Sequence, residues 1–292
     1  MLAIIDMDVL CYQCCESRWK LRCNLNNEMV IQLDEAGNRK QLEFTKSEDS
    51  KYLRQCWDRF QKDHEKILES VYATDYVGAV KAPDIETINE DGTKTKVQDN
   101  FRNLLYPEYK MNRHKDPNKQ NLFVPILRKL AAAEEIAIEA KGREADDLLR
   151  IWAEEARAAD RDYIICTIDK DLKCIPGRHY DMRIDTPDHK RIIEISESEA
   201  LRHYYTQLLK GDPGDNIPGV PRIGDVKAAK LIARLNDEYA YQECVVNEYI
   251  NAYGEHWLEY LNSNGKMLYL QRHPDDYFNC LEWEVVKELL EE

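Results

Sequence analysis

The chain has 292 residues, 43% hydrophobic and 33% charged, which suits a soluble globular protein with a core domain and an appended subdomain. Lys and Arg number 41 and Asp and Glu 55, a net charge of −14. That excludes histone-like wrapping of nucleic acid by bulk charge and leaves room for a local basic groove. No long apolar run exists, so no membrane span is expected. The N-terminal MLAIIDMDVL has an acid inside its apolar run and no basic stretch before it, unlike a signal peptide. The cysteine count, 9, is odd, and with no export signal it implies reduced thiols in a cytoplasm. Cys11, Cys14 and Cys15 are crowded enough to suggest a metal. They lack a second close pair and nearby histidines, so buried or partly buried thiols are the expectation.

Residues 2–5, Leu-Ala-Ile-Ile, form a short apolar run ending in Asp6, the pattern of a buried parallel strand with a carboxylate at its C-terminal end. Residues 47–71 carry apolar and aromatic side chains at helical spacing, with Ser47 or Asp49 as candidate caps. DYVGAVKAP predicts a second strand. IETINEDGTKTKVQ, with Asp91-Gly92 between alternating residues, predicts a β-hairpin. Residues 101–120 are polar and basic, 122–134 look helical, and EIAIEA predicts a strand. GREADDLLRIWAEEARAA predicts a helix from near Glu144, and DYIICTID a strand again ending in a carboxylate. This alternation implies an α/β fold with a mostly parallel central sheet flanked by helices. Ligands of such sheets gather beyond the carboxyl ends of the strands, where Asp6 and Asp169 fall. After about residue 195 the pattern turns helical, so an α/β core of 1–195 and a helical region of 196–292 are predicted, with a boundary near 190–200.

Acids concentrate beside apolar runs: Asp6 and Asp8; Glu144, Asp146 and Asp147; Asp169 and Asp171; Asp212 and Asp215. Singly each has a bland explanation, such as favouring a helix dipole or closing an Asx-turn. Together they would repel one another at one sheet edge unless a cation neutralises them. Hard oxygen ligands suit Mg²⁺ or Mn²⁺, and so many suggest two ions, as in phosphodiester cleavage. On a helix starting near Glu144, Glu144 and Asp147 share a face. Asp146 joins them only if Glu144 precedes the first turn.

The stretch 208–234, LLKGDPGDNIPGVPRIGDVKAAKLIAR, sets Lys210, Arg222, Lys227, Lys230 and Arg234 against Asp212, Asp215 and Asp225. Gly219, Gly224 and the prolines force a tight turn between two helices, and a glycine turn at a helix N-terminus binds phosphate. A sequence-independent grip on a DNA backbone fits; an ordinary helix–turn–helix corner is the bland alternative. A second basic island, 101–130, holds Arg102, Lys110, Arg113, Lys115, Lys119, Arg128 and Lys129 against Glu108 and Asp116. Phe101, Tyr106 and Tyr109 lie among them, and aromatic faces stack on unpaired bases.

The motifs IIDMDVL (4–10), NFRNLLYPEYKMNR (100–113), GREADDLL (142–149), TIDKDLK (167–173) and GDPGDNIPGVPRIG (211–224) together resemble the 5′→3′ exonuclease / flap endonuclease family, a PIN-like nuclease group, in particular its bacteriophage members. The likeness covers about residues 1–235; the last 55 or so carry no usable motif. It implies a parallel-sheet nuclease core with a helix–three-turn–helix element and two divalent ions, Mg²⁺ or Mn²⁺. By resemblance, Asp6, Glu144 and Asp146 match the first metal site. Asp147, Asp169, Asp171, Asp212 and Asp215 match the second or its water-bridged shell. Lys110 matches the lysine on the scissile phosphate, with Arg113 beside it, and Arg102 matches the basic residue of the family's F/W-R step. These four groups, Lys110, Arg113, Asp146 and Asp169, are the implied catalytic set. Arg102, Lys110, Arg113, Lys115, Gly219, Arg222, Gly224 and Lys227 are the implied DNA contacts. The region 105–130 would be the arch for a 5′ single strand, and the turn 217–224 would hold duplex phosphates with a K⁺ ion. The family has one more metal-binding Asp before its F/W-R step. Here the hairpin 85–98 looks inserted, and either Asp84, favoured by strand geometry, or Asp99 could serve. Arg222 stands where the family usually has Gly.

The implied activity is metal-assisted hydrolysis of DNA, with RNA–DNA hybrids as a further substrate, by a cytoplasmic, phage-type, stand-alone monomer with no polymerase domain. Asp6-Met-Asp8-Val9 also fits a haloacid-dehalogenase-type phosphatase. That class puts its late acidic motif at a strand end, whereas Tyr204–Lys210 reads as helix. A non-catalytic DNA-structure-binding protein needs no such acids, and a PIN-type ribonuclease shares them.

Overall fold

The computed structural model describes residues 1–15, 46–88, 92–112, 123–183, 186–187 and 190–291. A six-stranded sheet forms the centre, in the order β5-β2-β1-β6-β7-β8. The strands are β1 (Leu2–Asp6), β2 (Asp75–Lys81), β5 (Ile138–Ala140), β6 (Tyr163–Thr167), β7 (Gly177–Asp181) and β8 (Ile192–Ile195). All neighbours pair in parallel except β7 and β8. β3 (Ile85–Ile88) and β4 (Lys94–Val97) form the separate antiparallel hairpin that the alternation predicts.

Burial follows the pleat, since alternate side chains face opposite sides. Leu2 and Ile4 pack with Leu149 and Ala153 of α5 (Ala145–Ala158). Ala3 and Ile5 pack on the other face, in a cluster with Leu10 of α1 (Met7–Cys14), Phe60 of α2 (Lys46–Ser70) and Leu127 of α4 (Val124–Ala133). The short α3 (Phe101–Leu105) follows the hairpin, capped by Asn100. Both central strands, β1 and β6, are buried along their whole length, which explains their unbroken apolar runs.

One local expectation is corrected. Helix α2 begins at Lys46, so Ser47 and Asp49 lie inside it rather than ahead of its first turn. After Asp6 the chain enters α1 at once, a helix the sequence did not signal, and the Asp6 carboxylate accepts the Val9 amide at 3.1 Å as its N-cap. Cys11, Cys14, Cys15 and Cys56 are buried thiols outside any disulfide, as expected, and burial pushes the thiols of Cys11 and Cys14 upward.

After β8, Ser196 caps α6 (Glu197–Lys210). Helices α7 (Asp225–Ile232), α8 (Glu238–Tyr253), α9 (Trp257–Leu268) and α10 (Glu284–Glu291) complete the region. They share an apolar cluster around Tyr205, Leu208, Val245, Tyr249 and Leu261. No described helix is long and apolar enough to cross a membrane.

Candidate active site

Parallel pairing of β1 with β6 sets their C-terminal ends side by side. A chain of hydrogen bonds orders the acids there. Thr167 Oγ1 donates to Asp6 at 3.0 Å and accepts the Asp169 amide at 2.9 Å. Asp169 accepts the Asp171 amide at 2.8 Å, and Asp171 accepts Gln207 Nε2 of α6 at 2.8 Å. Asp6, Asp146, Asp169, Asp171, Asp212 and Asp215 line one cleft of about 460 Å³, with Glu144 and Lys110 on its wall.

Glu144 precedes the first turn of α5, with extended backbone (ψ 159°). This resolves the geometry left open by the sequence: Glu144 and Asp146 face the cleft. Asp147 does not. It is fully buried and accepts Arg102 Nη1 and Nη2 at 2.7 and 2.8 Å, the Glu144 amide at 3.0 Å and the Gln271 amide at 3.2 Å. Four donors fill its two oxygens, which removes it from the set of free acids. Arg102 is 1% exposed, with its remaining N–H groups on the carbonyls of Met267 (3.0 Å) and Tyr269 (2.6 Å). The implied DNA contact at Arg102 is therefore corrected to a buried strut.

Lys110 sits in the left-handed region (φ 60°) on the loop after α3. Its amide donates to the Asp215 carbonyl at 2.9 Å. Its ammonium bonds Glu144 and lies 3.5 Å from Asp215. Tyr109 donates to Glu144 at 3.0 Å and is 4% exposed, so it is no platform for bases. Asn112 donates to the Pro213 carbonyl and Asn216 to the Glu108 carbonyl, which docks this loop on the Asp212–Ile217 turn.

The electrostatics are those of crowded acids. Burial, with Asp8 and Asp169 nearby, pushes Asp6 up to about 7. Burial pushes Asp171 up to about 6, with Asp169 and Asp212 adding to it. Burial, Asp6, Asp169 and Glu144 drive Asp146 well above the usual range. Glu144 goes the other way: burial alone would raise it, but Lys110 and Arg102 hold it below its ordinary value. Asp8 also lies on the cleft, but Arg128 Nε and Nη2 bind its carboxylate at 2.8 and 3.1 Å.

Asp84 pairs with Lys81 at 2.9 Å and does not line the cleft, and neither does Asp99. The strand-end position assumed for Asp84 is not met: β2 ends at Lys81, three residues earlier, and β3 begins at Ile85. Arg113, Lys115 and the rest of 113–122 in the implied arch lie outside the described residues.

In the second region, Gly211 ends α6 with φ 70° and Gly219 packs on it with φ 60°. A Cβ on Gly219 would overlap the backbone of Lys210 and Gly211. Gly219 is buried, so its part is close approach rather than DNA contact. Gly219→Ala is expected to destabilise the protein by roughly 2–4 kcal/mol, readable as a lowered urea midpoint. Arg222 is exposed at φ 63°, a conformation that suits Gly, which accounts for the family's usual residue there. Gly224 and Lys227 are exposed at the start of α7, and Lys227 lies 3.8 Å from Glu248.

Residues 87–205 match the family model described as the 5′-3′ exonuclease N-terminal, resolvase-like domain. Over this stretch the chain is similar to the 5′-3′ exonuclease family. It is similar to DNA polymerase I of Rhizobium leguminosarum, 34% identical over 145 residues, covering 47% of this chain and 14% of that protein. It is also similar to the 5′-3′ exonuclease of Buchnera aphidicola subsp. Schizaphis graminum, 32% identical over 155 residues, covering 47% of this chain and 50% of that protein. The chain thus spans half or less of these relatives' length. A T5 5′-exonuclease structure with zinc bound aligns with a TM-score of 0.52 at 15% identity, covering 91% of this chain and 86% of that one, which shows a shared fold. The exonuclease domain match holds Lys110, Glu144, Asp146, Asp169 and Asp171, while Asp6, Asp212 and Asp215 reach the same cleft from outside it.

Sequence reasoning missed Thr167, Gln207 and the Tyr109 hydroxyl. Thr167 sits two residues before Asp169 on a strand, a spacing that could have flagged it. Gln207 carries no local signal.

Proposed function

We propose that the chain is a divalent-metal-dependent nuclease that hydrolyses DNA phosphodiesters from the 5′ end or at a 5′ flap, in replication, primer removal or recombination. The observation that carries this reading is the cleft in which acids from four separate segments meet beside Lys110. Among the described residues no three acidic, His or Cys side chains close into a finished metal cage. The donor set fits hard cations nonetheless. It is all oxygen, and burial first and neighbouring acids second push Asp6 and Asp146 upward, a cost that positive charge would relieve. Mg²⁺ keeps several waters rather than demanding an all-protein cage.

Asp6, Glu144 and Asp146 would hold one ion, and Asp169, Asp171, Asp212 and Asp215 the other. When bound, such ions lower the pKa of a water and stabilise charge on the phosphate and the leaving 3′ oxygen. The protein's own groups do the rest. Thr167 and Gln207 fix the rotamers of the acids. Lys110 brings a positive charge to the rim, where phosphate charge grows in the transition state. Arg222, Lys227 and the open start of α7 would hold duplex phosphates, with Arg222 a fixed cation where the resemblance implied K⁺. The proposed division remains a core of 1–195 and a DNA-binding region of 196–292.

The test is release of 5′-phosphorylated products from end-labelled DNA and RNA–DNA duplexes in Mg²⁺, Mn²⁺ and EDTA. Products in metal alone support the reading; tight binding with no product in any buffer reduces the acids to structure. Lys110→Ala is expected to lower turnover roughly 10²- to 10³-fold with a much smaller change in DNA Kd. A loss confined to Kd would make Lys110 a phosphate clamp only.

A further inference from the structure

The segment Met267–Gln271 lies outside the stretch matched to the exonuclease family and carries no motif, yet it walls the cleft. Met267, Leu268 and Leu270 line it. Met267, 8% exposed, packs with Tyr109 and Ile217 in a small apolar cluster of its own. Tyr109 is next to Lys110 and bonds Glu144, and Ile217 closes the turn that carries Asp212 and Asp215. One apolar side chain therefore touches both loops that bring groups to the cleft.

The backbone of the same segment does a second job. Its Met267 and Tyr269 carbonyls take two N–H groups of Arg102, and its Gln271 amide donates to Asp147. Arg102 belongs to α3, which feeds the Lys110 loop; Asp147 belongs to the first turn of α5, beside Glu144 and Asp146. Arg102, Asp147, Met267 and Gln271 are buried and Tyr269 is half-buried, so loss of these bonds would leave unpaired polar atoms shielded from water.

We propose that Met267–Gln271 is a positioning strap that sets where Lys110, Tyr109 and Glu144 stand relative to the Asp212–Ile217 turn. It rests on the nuclease reading of the cleft. Its cleft-lining side chains, Met267, Leu268 and Leu270, are apolar and do no chemistry. They act by fixing distance, and a misplacement of about 1 Å in a reacting geometry can lower a rate roughly 10²-fold.

The experiment compares Met267→Ala and Met267→Leu in the full chain. For Met267→Ala, kcat on flap DNA is expected to fall roughly 10- to 100-fold, with DNA Kd within about twofold of wild type. Met267→Leu, which refills the cluster, should restore most of it. Hydrogen exchange supplies a readout independent of activity. The amides of Tyr109 and Lys110, bonded to the carbonyls of Tyr106 and Asp215, should exchange at least about tenfold faster in Met267→Ala, while those of β1 stay unchanged. Unchanged exchange at Tyr109 and Lys110 in folded Met267→Ala overturns the proposal, as does wild-type kcat. If the wild-type protein itself cuts nothing, the nuclease reading fails and the exchange result alone decides the strap.

Discussion

Asp146→Ala is expected to lower DNA cleavage by at least about three orders of magnitude while leaving DNA affinity in Ca²⁺ or EDTA near wild type. An acid that holds a metal contributes several kcal/mol to the transition state, and each 1.4 kcal/mol is about tenfold. The same substitution should not destabilise the protein in EDTA. Asp146 stands in the field of Asp6, Asp169 and Glu144, and its charge is disfavoured there by burial first and these neighbours second. Removing it relieves repulsion, so its urea midpoint in EDTA should equal or exceed that of wild type. Loss of turnover with retained or raised stability is the signature of a functional acid. Normal turnover at saturating Mg²⁺ would remove Asp146 from the metal set, and a lowered midpoint would contradict the repulsion argument.

Arg102→Ala should act in the opposite way, through the fold. The substitution leaves Asp147 charged, buried and stripped of its fork, and orphans two carbonyls. Breaking one side of a buried pair costs about 3–5 kcal/mol, a large part of a domain's total stability. Chemical denaturation should show that loss. Replacing both partners, Arg102→Met with Asp147→Leu, should cost less than Arg102→Ala alone, because no uncompensated charge remains. If Arg102→Ala kept wild-type stability but bound DNA poorly, Arg102 would be the DNA contact that its place in the basic island suggests.

The difference between these two residues shows how far the sequence could be read. Asp6 and Asp169 were legible because each follows a strand that is apolar throughout, and strand ends collect ligands in parallel sheets. The GDPGD turn was legible from its glycines and prolines. Asp146 and Asp147 could not be told apart: adjacent acids at a helix start are equivalent until the backbone at Glu144 is known to be extended. Arg102 was unreadable for a related reason. Its partners are Asp147, Met267 and Tyr269, all far along the chain, and no local pattern marks an arginine for burial. Local charge counting placed it with Lys110 on a DNA surface. Helix α1 was missed because a strand passes into it with no loop, Asp6 serving both as strand end and as cap.

The most direct measurement is cleavage of a labelled 5′-flap DNA duplex with and without Mg²⁺. The account predicts cuts near the flap junction or the 5′ end that appear with Mg²⁺ and vanish with EDTA. Tight binding of the flap with no cutting at any Mg²⁺ concentration would contradict it.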